Sequence, residues 1–279
     1  NLLDQERTRL TDLLRDQGYW DFNKDDIRFI ADTLQGEQEV DLTVLVSRLH
    51  EKYLINKVHF VTDFNILANR TDSAASDVRE ISEGYDITYE GDNCYLKDHI
   101  LIENCHIIPG NIYSETSVKR TYSSFSRLHL LKFTNIRLEP AGDYKLDAYV
   151  YTSPMNPKSV QFELDGTNTS GDLGFAGALS YQHRNLFRGS ETYSLSLKGG
   201  YESLSGNVAG LVNDNYSEYS ISNNLDIPNK KSTTSVNLSF SYQTRPEYTR
   251  FISNIGYSYK WQSGQRYRHT FDVLNLSYV

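Results

Sequence analysis

The 279 residues carry a net charge of -8 at neutral pH and a sequence pI near 5.4, with no run of Lys or Arg to offset it, which argues against a nucleic-acid partner. Mean hydropathy is -0.55 and no apolar run reaches about 18 residues, which excludes a transmembrane helix but not a membrane barrel, polar on its inner side. Tyrosine and phenylalanine number 21 and 12, against 2 Cys and 1 Met, and tyrosine crowds the second half.

The chain begins at Asn1 with neither initiator Met nor apolar leader, and reads as a processed or internal segment. Leu3, Leu10, Leu13 and Leu14 recur at helical spacing, and Gly18 supplies a C-terminal stop, which predicts an amphipathic helix over Leu2–Gln17. Two strands come next. Ile27, Phe29 and Ala31 alternate with polar residues, and after the turn QGEQE so do Val40, Leu42, Val44 and Val46.

The order then recurs as a second copy of one module. KVHFV, Lys57–Val61, is an apolar strand; Ser114 caps a helix to Leu128 with Val118, Tyr122, Phe125 and Leu128 on one face; LKFTNIRLEP and KLDAYVYT are strands. Between strand and helix lies a polar insertion at about residues 65–90, rich in Asp, Ser and Glu, expected as a mobile loop. Cys94 and Cys105 are near enough in sequence to form a disulfide in an oxidising compartment, or to remain two thiols. With His99 and His106 their order fits no zinc spacing.

After TSPMNP helical periodicity ends, which puts a domain boundary near Ser153. From there to Val279 the chain reads as about seven strands of period two. Val160, Phe162 and Leu164 alternate with Gln161 and Glu163, and Phe175, Leu179 and Tyr181 share one face of the next strand. In ETYSLSLKGGY the odd positions Tyr193, Leu195, Leu197 and Tyr201 are apolar and the even ones polar. At ~3.3 Å per residue and a tilt of ~40°, its two tyrosines stand roughly 20 Å apart along a membrane normal, near the height of a barrel's apolar band. Tyr219, Ile221, Leu225 and Ile227, then Val236, Leu238, Phe240 and Tyr242, then Phe251, Ile255, Tyr257, Tyr259 and Trp261 repeat the pattern. The last strand, HTFDVLNLSYV, changes phase between Val273 and Leu274, through a bulge, a register break or a change of face. Outer faces this weakly charged are unlike a soluble sandwich.

PGNIYSETSVKRTYSSFSRLHLLKFTNIRLEP and GDLGFAGALSYQHRNLFRGSETYSLSLKGGY resemble the BamA/TamA family of outer-membrane assembly factors, in which periplasmic POTRA modules precede a β-barrel. SYQTRPEYTRFISNIGYSYKW extends the resemblance, which covers nearly the whole chain and is best from Pro109 to Tyr201. Tyr181, Arg184, Asn185, Leu186, Phe187, Arg188 and Gly189 resemble the family hairpin that joins early barrel strands. A first POTRA strand, the later barrel half and a VRGF-like loop have no match.

The resemblance implies α+β POTRA modules followed by about the first half of an antiparallel transmembrane β-barrel. The expected domains are 1–50, a POTRA-like module without its first strand; 51–153, a second module carrying the insertion; and 154–279, the barrel segment. It implies a seam at the first barrel strand, about Ser159–Asn168, with Val160, Gln161, Phe162, Glu163 and Leu164 templating a client, and a lipid-facing girdle of Tyr193, Tyr201, Tyr242, Tyr257, Tyr259 and Trp261. POTRA edges accept unfolded clients as added strands. Partners are then outer-membrane or secreted clients, outer-membrane lipids, and at the POTRA modules accessory lipoproteins or an inner-membrane protein.

No histidine stands in an acid-base or nucleophile motif, and no enzyme activity, cofactor or metal is expected. His183 reads as a turn or girdle residue and Asp25 and Asp26 as turn residues; Arg184 and Arg188 serve either lipid phosphates or the interface. The function implied is assembly of proteins into the outer membrane. A two-partner-type secretion transporter, a passive pore and a soluble adhesin-like sheet compete with it.

Overall fold

The computed structural model describes residues 2–32, 40–47, 51–62, 78–89, 94–169, 172–203, 215–229, 232–263 and 267–279. These fall into two compact units: one of Asn1–Cys94, Asp98–Arg127 and Leu131–Ser153, the other of Tyr95–Lys97, Leu128–Leu130 and Pro154–Val279.

The first unit opens with helix α1, Leu2–Asp16. Gly18 ends it in the left-handed region at φ 111°, where its amide reaches the Arg15 carbonyl and that of Tyr19 the Leu14 carbonyl, the pair of bonds that satisfies a helix's last carbonyls. A side chain at Gly18 would lie 2.6 Å from Ile112, so space as well as φ demands glycine. A 3₁₀ turn over Lys24–Asp26 uses the Asp26 carboxylate to accept from the Asn23 amide at 3.0 Å. Strands β1 (Ile27–Asp32) and β2 (Asp41–Val46) then pair antiparallel. The turn QGEQE lies outside the described residues.

A five-stranded sheet forms the rest of this unit, in the order β4-β5-β3-β7-β6: β3 Leu54–Thr62, β4 Val78–Ser82, β5 Tyr85–Thr88, β6 Leu131–Pro140 and β7 Lys145–Pro154. Helices α2 (Asp98–Asn104) and α3 (Glu115–Ser126) accompany it. β3 runs parallel to β7 on one side and to β5 on the other. Val58, Phe60, Ile87, Leu101, Ile107, Phe125, Leu146 and Val150 make the core, and each such side chain contributes about 1.5–3 kcal/mol of apolar transfer.

The Ser114 side chain caps α3 by accepting from the Ser117 amide at 3.2 Å. The buried stripe of α3 is Thr121, Ser124 and Phe125, continuing to Leu128; Tyr122, expected on that stripe, is exposed. α2 has no counterpart among the expected elements, because its seven residues are too short to establish a period. The insertion expected as a mobile loop is ordered over Val78–Thr88 as the antiparallel ribbon β4–β5, while residues 63–77 lie outside the described residues. Ribbon formation stems from Glu83-Gly84, a turn with Gly84 at φ 75°, flanked by Ile81 and Ile87. Cys94 and Cys105 are both buried, and the Cys105 thiol donates to the Ile107 carbonyl at 3.4 Å. In this structure both stand as thiols, and the core holds each sulfur as a small apolar group.

The second unit is built on a seven-stranded sheet of consecutive antiparallel neighbours: β8 (Lys158–Thr169), β9 (Asp172–His183), β10 (Thr192–Ser203), β11 (Asn215–Pro228), β12 (Ser232–Thr244), β13 (Thr249–Ser263) and β14 (Tyr267–Tyr278). Register aligns the apolar faces into rows. One runs Val160, Tyr181, Leu195, Asn223, Leu238, Ile255, Leu276; the next runs Phe162, Leu179, Leu197, Ile221, Phe240, Ser253, Tyr278. The phase change in β14 is a bulge. Tyr257 faces Leu274 and Ser258 faces Asp272, so Val273 is the extra residue, and Leu274 and Phe271 stay on the apolar face.

Candidate functional site

Three features of the second unit combine into a candidate site: an apolar face, a polar face behind it, and edge strands. Each arises from period-two alternation held in register across seven strands.

The apolar face keeps large side chains in the open. Val160, Phe162 and Leu164 on β8 are 68%, 65% and 72% exposed, and Phe240, Phe251, Ile255 and Phe271 are likewise exposed. This many neighbouring apolar side chains left to solvent marks a surface that belongs against something apolar. Aromatic rings gather toward both ends. At one, Phe175 lies 5.7 Å from Tyr201, Tyr219 6.5 Å from Tyr242, and Tyr242 4.8 Å from Phe251. At the other stand Tyr193, Tyr257, Tyr259 and Trp261, with Trp261 5.7 Å from Tyr259 and stacked on His269 at 5.0 Å.

The opposite face is a hydrogen-bonded polar surface. The Ser180 and Ser196 hydroxyls lie 3.3 Å apart, Asn254 donates to Ser239 at 3.3 Å, Asn224 to Asp226 at 2.9 Å, and Ser235 also donates to Asp226. Arg250 donates to Gln243 at 2.9 Å and Gln243 to the Tyr216 hydroxyl at 3.0 Å. A polar hollow of about 250 Å³ is lined by Asn224, Asn237, Asn254, Lys260 and Asp272.

β8 and β14 are the two outer strands of this sheet. An outer strand has one row of backbone donors and acceptors without a ladder partner, and β8 presents twelve residues of it without an internal proline. On its polar side Gln161 donates to Glu163 at 2.7 Å.

The turn Arg184–Glu191 between β9 and β10 is held by side-chain and backbone hydrogen bonds. Asn185 donates from Nδ2 to the Tyr95 carbonyl at 2.6 Å and accepts at Oδ1 from the Ser190 amide at 3.0 Å. Glu191 accepts at Oε2 from the Phe187 amide at 3.0 Å and the Gly189 amide at 2.9 Å. The Lys97 amide donates to the Arg188 carbonyl at 2.9 Å and that of Arg184 to the Pro157 carbonyl at 2.7 Å. Arg188 and Ser190 hold φ of 66° and 64°, and a side chain at Gly189 would stand 2.3 Å from Glu191 Oε1. The turn therefore clamps Tyr95–Lys97 through one side-chain bond, from Asn185, and one backbone bond, to Arg188. Leu186 and Phe187 remain exposed, Tyr181 lies up-strand on the apolar face, and His183, expected as a turn or girdle residue, is the last residue of β9, where its Nδ1 accepts from the Asn185 amide at 3.3 Å. Arg184 Nη1 reaches the Asn156 carbonyl at 3.5 Å.

Two functional-looking residues are not marked in the sequence. Glu191 is hidden because a carboxylate beside a turn looks like any solvated residue; the signal is its place two residues after Gly189. Asn223 stands in an otherwise apolar row, and only the pairing of β10 with β11 shows that Tyr193 donates to its Oδ1, at 2.7 Å.

No protein family's sequence model and no curated protein matches the chain. Among the solved structures similar to it, BamA from Haemophilus ducreyi lacking POTRA domains 1–3 aligns with 95% of the chain at 11% identity and a TM-score of 0.47, and CdiB from Acinetobacter baumannii with 95% at 12% and 0.38. The alignments take in 54% and 52% of those chains, so this chain spans about half the length of each. Scores this low carry no argument about function, which has to come from the chain's own geometry.

Proposed function

We propose that the chain is part of an outer-membrane protein assembly factor. The seven-stranded sheet is the first part of a transmembrane β-barrel, and the helix-and-strand unit before it comprises periplasmic POTRA-like modules that receive unfolded clients by strand addition. The observation that carries this is the sheet itself. Seven strands of 12–15 residues, apolar on one face and polar on the other, with aromatics toward both ends, match the requirements of a bilayer. Backbone groups inside a bilayer must all be paired, so an edge strand such as β8 is stable only against another strand. The later strands of the barrel supply one in the resting protein, and a client hairpin replaces it during insertion. Free energy comes from burying the client's apolar face in lipid, and no covalent step is needed.

The test is photo-crosslinking from positions across Val160–Asn168 of the intact protein in cells. Capture of many different barrel proteins is the expected result. Capture of one secreted partner instead identifies a dedicated transporter, whose client passes along the polar face, and capture of none, with free passage of small solutes, identifies a pore.

A further inference from the structure

Without the β4–β5 ribbon, the sheet of the first unit would be β3-β7-β6, with β3 and β6 as its edges. We infer that the ribbon is a built-in occupant of the β3 edge, an internal strand seated where an extended client would otherwise add, so that this edge takes no part in client capture. The inference rests on the POTRA-like reading of this unit.

Four observations carry it. First, β3 has no open stretch on that side. Residues Val58–Val61 pair with β5, and below them the Ile55 amide donates to the Asn111 carbonyl at 2.8 Å while the amides of Gly110 and Tyr113 donate to the carbonyls of Ile55 and Tyr53 at 2.7 and 2.9 Å. Second, the ribbon's turn is shaped to its seat. Gly84 holds φ 75°, its carbonyl accepts from the Val58 amide at 2.9 Å, and a side chain there would lie 2.6 Å from Pro109.

Third, β5 contributes to the core as a native strand does. Ile87 and Tyr85 are buried, the Tyr85 ring stacks 6.1 Å from Phe60, and its hydroxyl donates to the Ile107 carbonyl at 3.2 Å. Fourth, polar side chains tie both strands down: Asp86 Oδ2 lies 3.3 Å from His59 Nδ1 and 3.5 Å from the Lys57 ammonium, and Arg79 grips both oxygens of Asp98 at 2.8 and 2.9 Å. The new outer strand, β4, has five residues, a register break between Glu80 and Ser82, and Arg79 committed to Asp98, the features by which edges resist pairing. The ten-residue β6, on the far side, is left as the receiving edge.

Hydrogen exchange and crosslinking on the full-length protein test this together. The Val58 amide points to the ribbon, and by the period of two so does that of Phe60, while His59 and Val61 point to β7. The four amides should exchange at similar, slow rates in the unaltered protein. Gly84→Val, which the Pro109 contact cannot accommodate, should speed Val58 and Phe60 by about tenfold or more and leave His59 and Val61 within about threefold. Arg79→Ala, which removes the exposed pair with Asp98 and the contact of the guanidinium with the Tyr89 ring, should move the same two amides less and in the same direction, and decides the matter if Gly84→Val does not fold.

A photoreactive residue at Val61, challenged with a urea-unfolded barrel polypeptide, should capture nothing in the unaltered protein and gain capture in Gly84→Val. Fast exchange of Val58 and Phe60, or capture at Val61, in the unaltered protein would overturn the inference. Silence of a probe at Lys132 on β6 in every protein would sink the capture reading separately, because the exchange measurement uses no client.

Discussion

The Tyr193 hydroxyl donates to Asn223 Oδ1 at 2.7 Å across neighbouring strands, on the apolar face. Asn223 is flanked in its row by Leu195 and Leu238, so with the sheet in lipid, as proposed, no water replaces Tyr193 as its partner. Tyr193→Phe should therefore lower stability in bilayers by about 1–2 kcal/mol, the cost of leaving a desolvated amide unpaired, and should cost little when paired with Asn223→Leu. Urea unfolding from lipid vesicles of the two single variants and the double reads this out; equal losses in Tyr193→Phe and the double variant would refute the coupling.

Asn185 makes two bonds that join the β9–β10 turn to Tyr95 and close the turn on itself. Asn185→Ala should destabilise the protein by about 1–3 kcal/mol, since removing one partner strands the Tyr95 carbonyl and the Ser190 amide. Gly189→Ala should cost less, because the Glu191 carboxylate it meets can swing aside at the loss of its two amide bonds, and Glu191→Ala added to it should cost little more. Thermal unfolding of the three single variants and of the Gly189→Ala/Glu191→Ala double is the measurement, and additivity in the double would contradict the steric account.

Phe162 and Leu164 lie on the apolar face of the edge strand. Arg at either position should impair membrane assembly of the intact protein, by roughly 2–4 kcal/mol near the bilayer midplane. The share of protein resistant to urea extraction from membranes should fall. Arg at Gln161, on the polar face, should have little effect, and equal effects at both positions would overturn the assignment of faces.

Burial pushes the Tyr85 phenol up to about 12, with the neighbouring Cys105 adding to it. The folded pKa is raised above the unfolded value of ~10, so the neutral ring's contribution is complete below pH ~10 and is lost as pH rises through the folded value. Alkaline unfolding of the first unit should steepen between pH ~10 and about 12, with up to roughly 2–3 kcal/mol at stake. Tyr85→Phe should remove that part of the pH dependence; an unchanged profile would show that other groups control it.

What the sequence determined by itself is what repeats locally. A strand's faces come from alternate residues and a helix stop from one glycine. Gly18, the apolar positions of β8 to β13 and the Ser114 cap were therefore legible without any knowledge of neighbours. Even the phase change at Val273 could be seen, although three explanations fitted until its pairing with β13 showed a bulge.

Only the tertiary structure decided which strand lies beside which. Parallel pairing of β5 with β3 takes in part of an insertion whose polar composition pointed to a loop, and its stability comes from Tyr85 and Ile87 entering a core assembled by distant segments. Helix α2 lacks the length to show a period and is held by burial of Leu101. The roles of Asn223 and Glu191 depend on a partner's position in space, through the register of β10 against β11 and through the path of a strained turn. Local alternation has no term for either, because a hydrogen bond between strands is set by register and loop closure rather than by the residues on one strand.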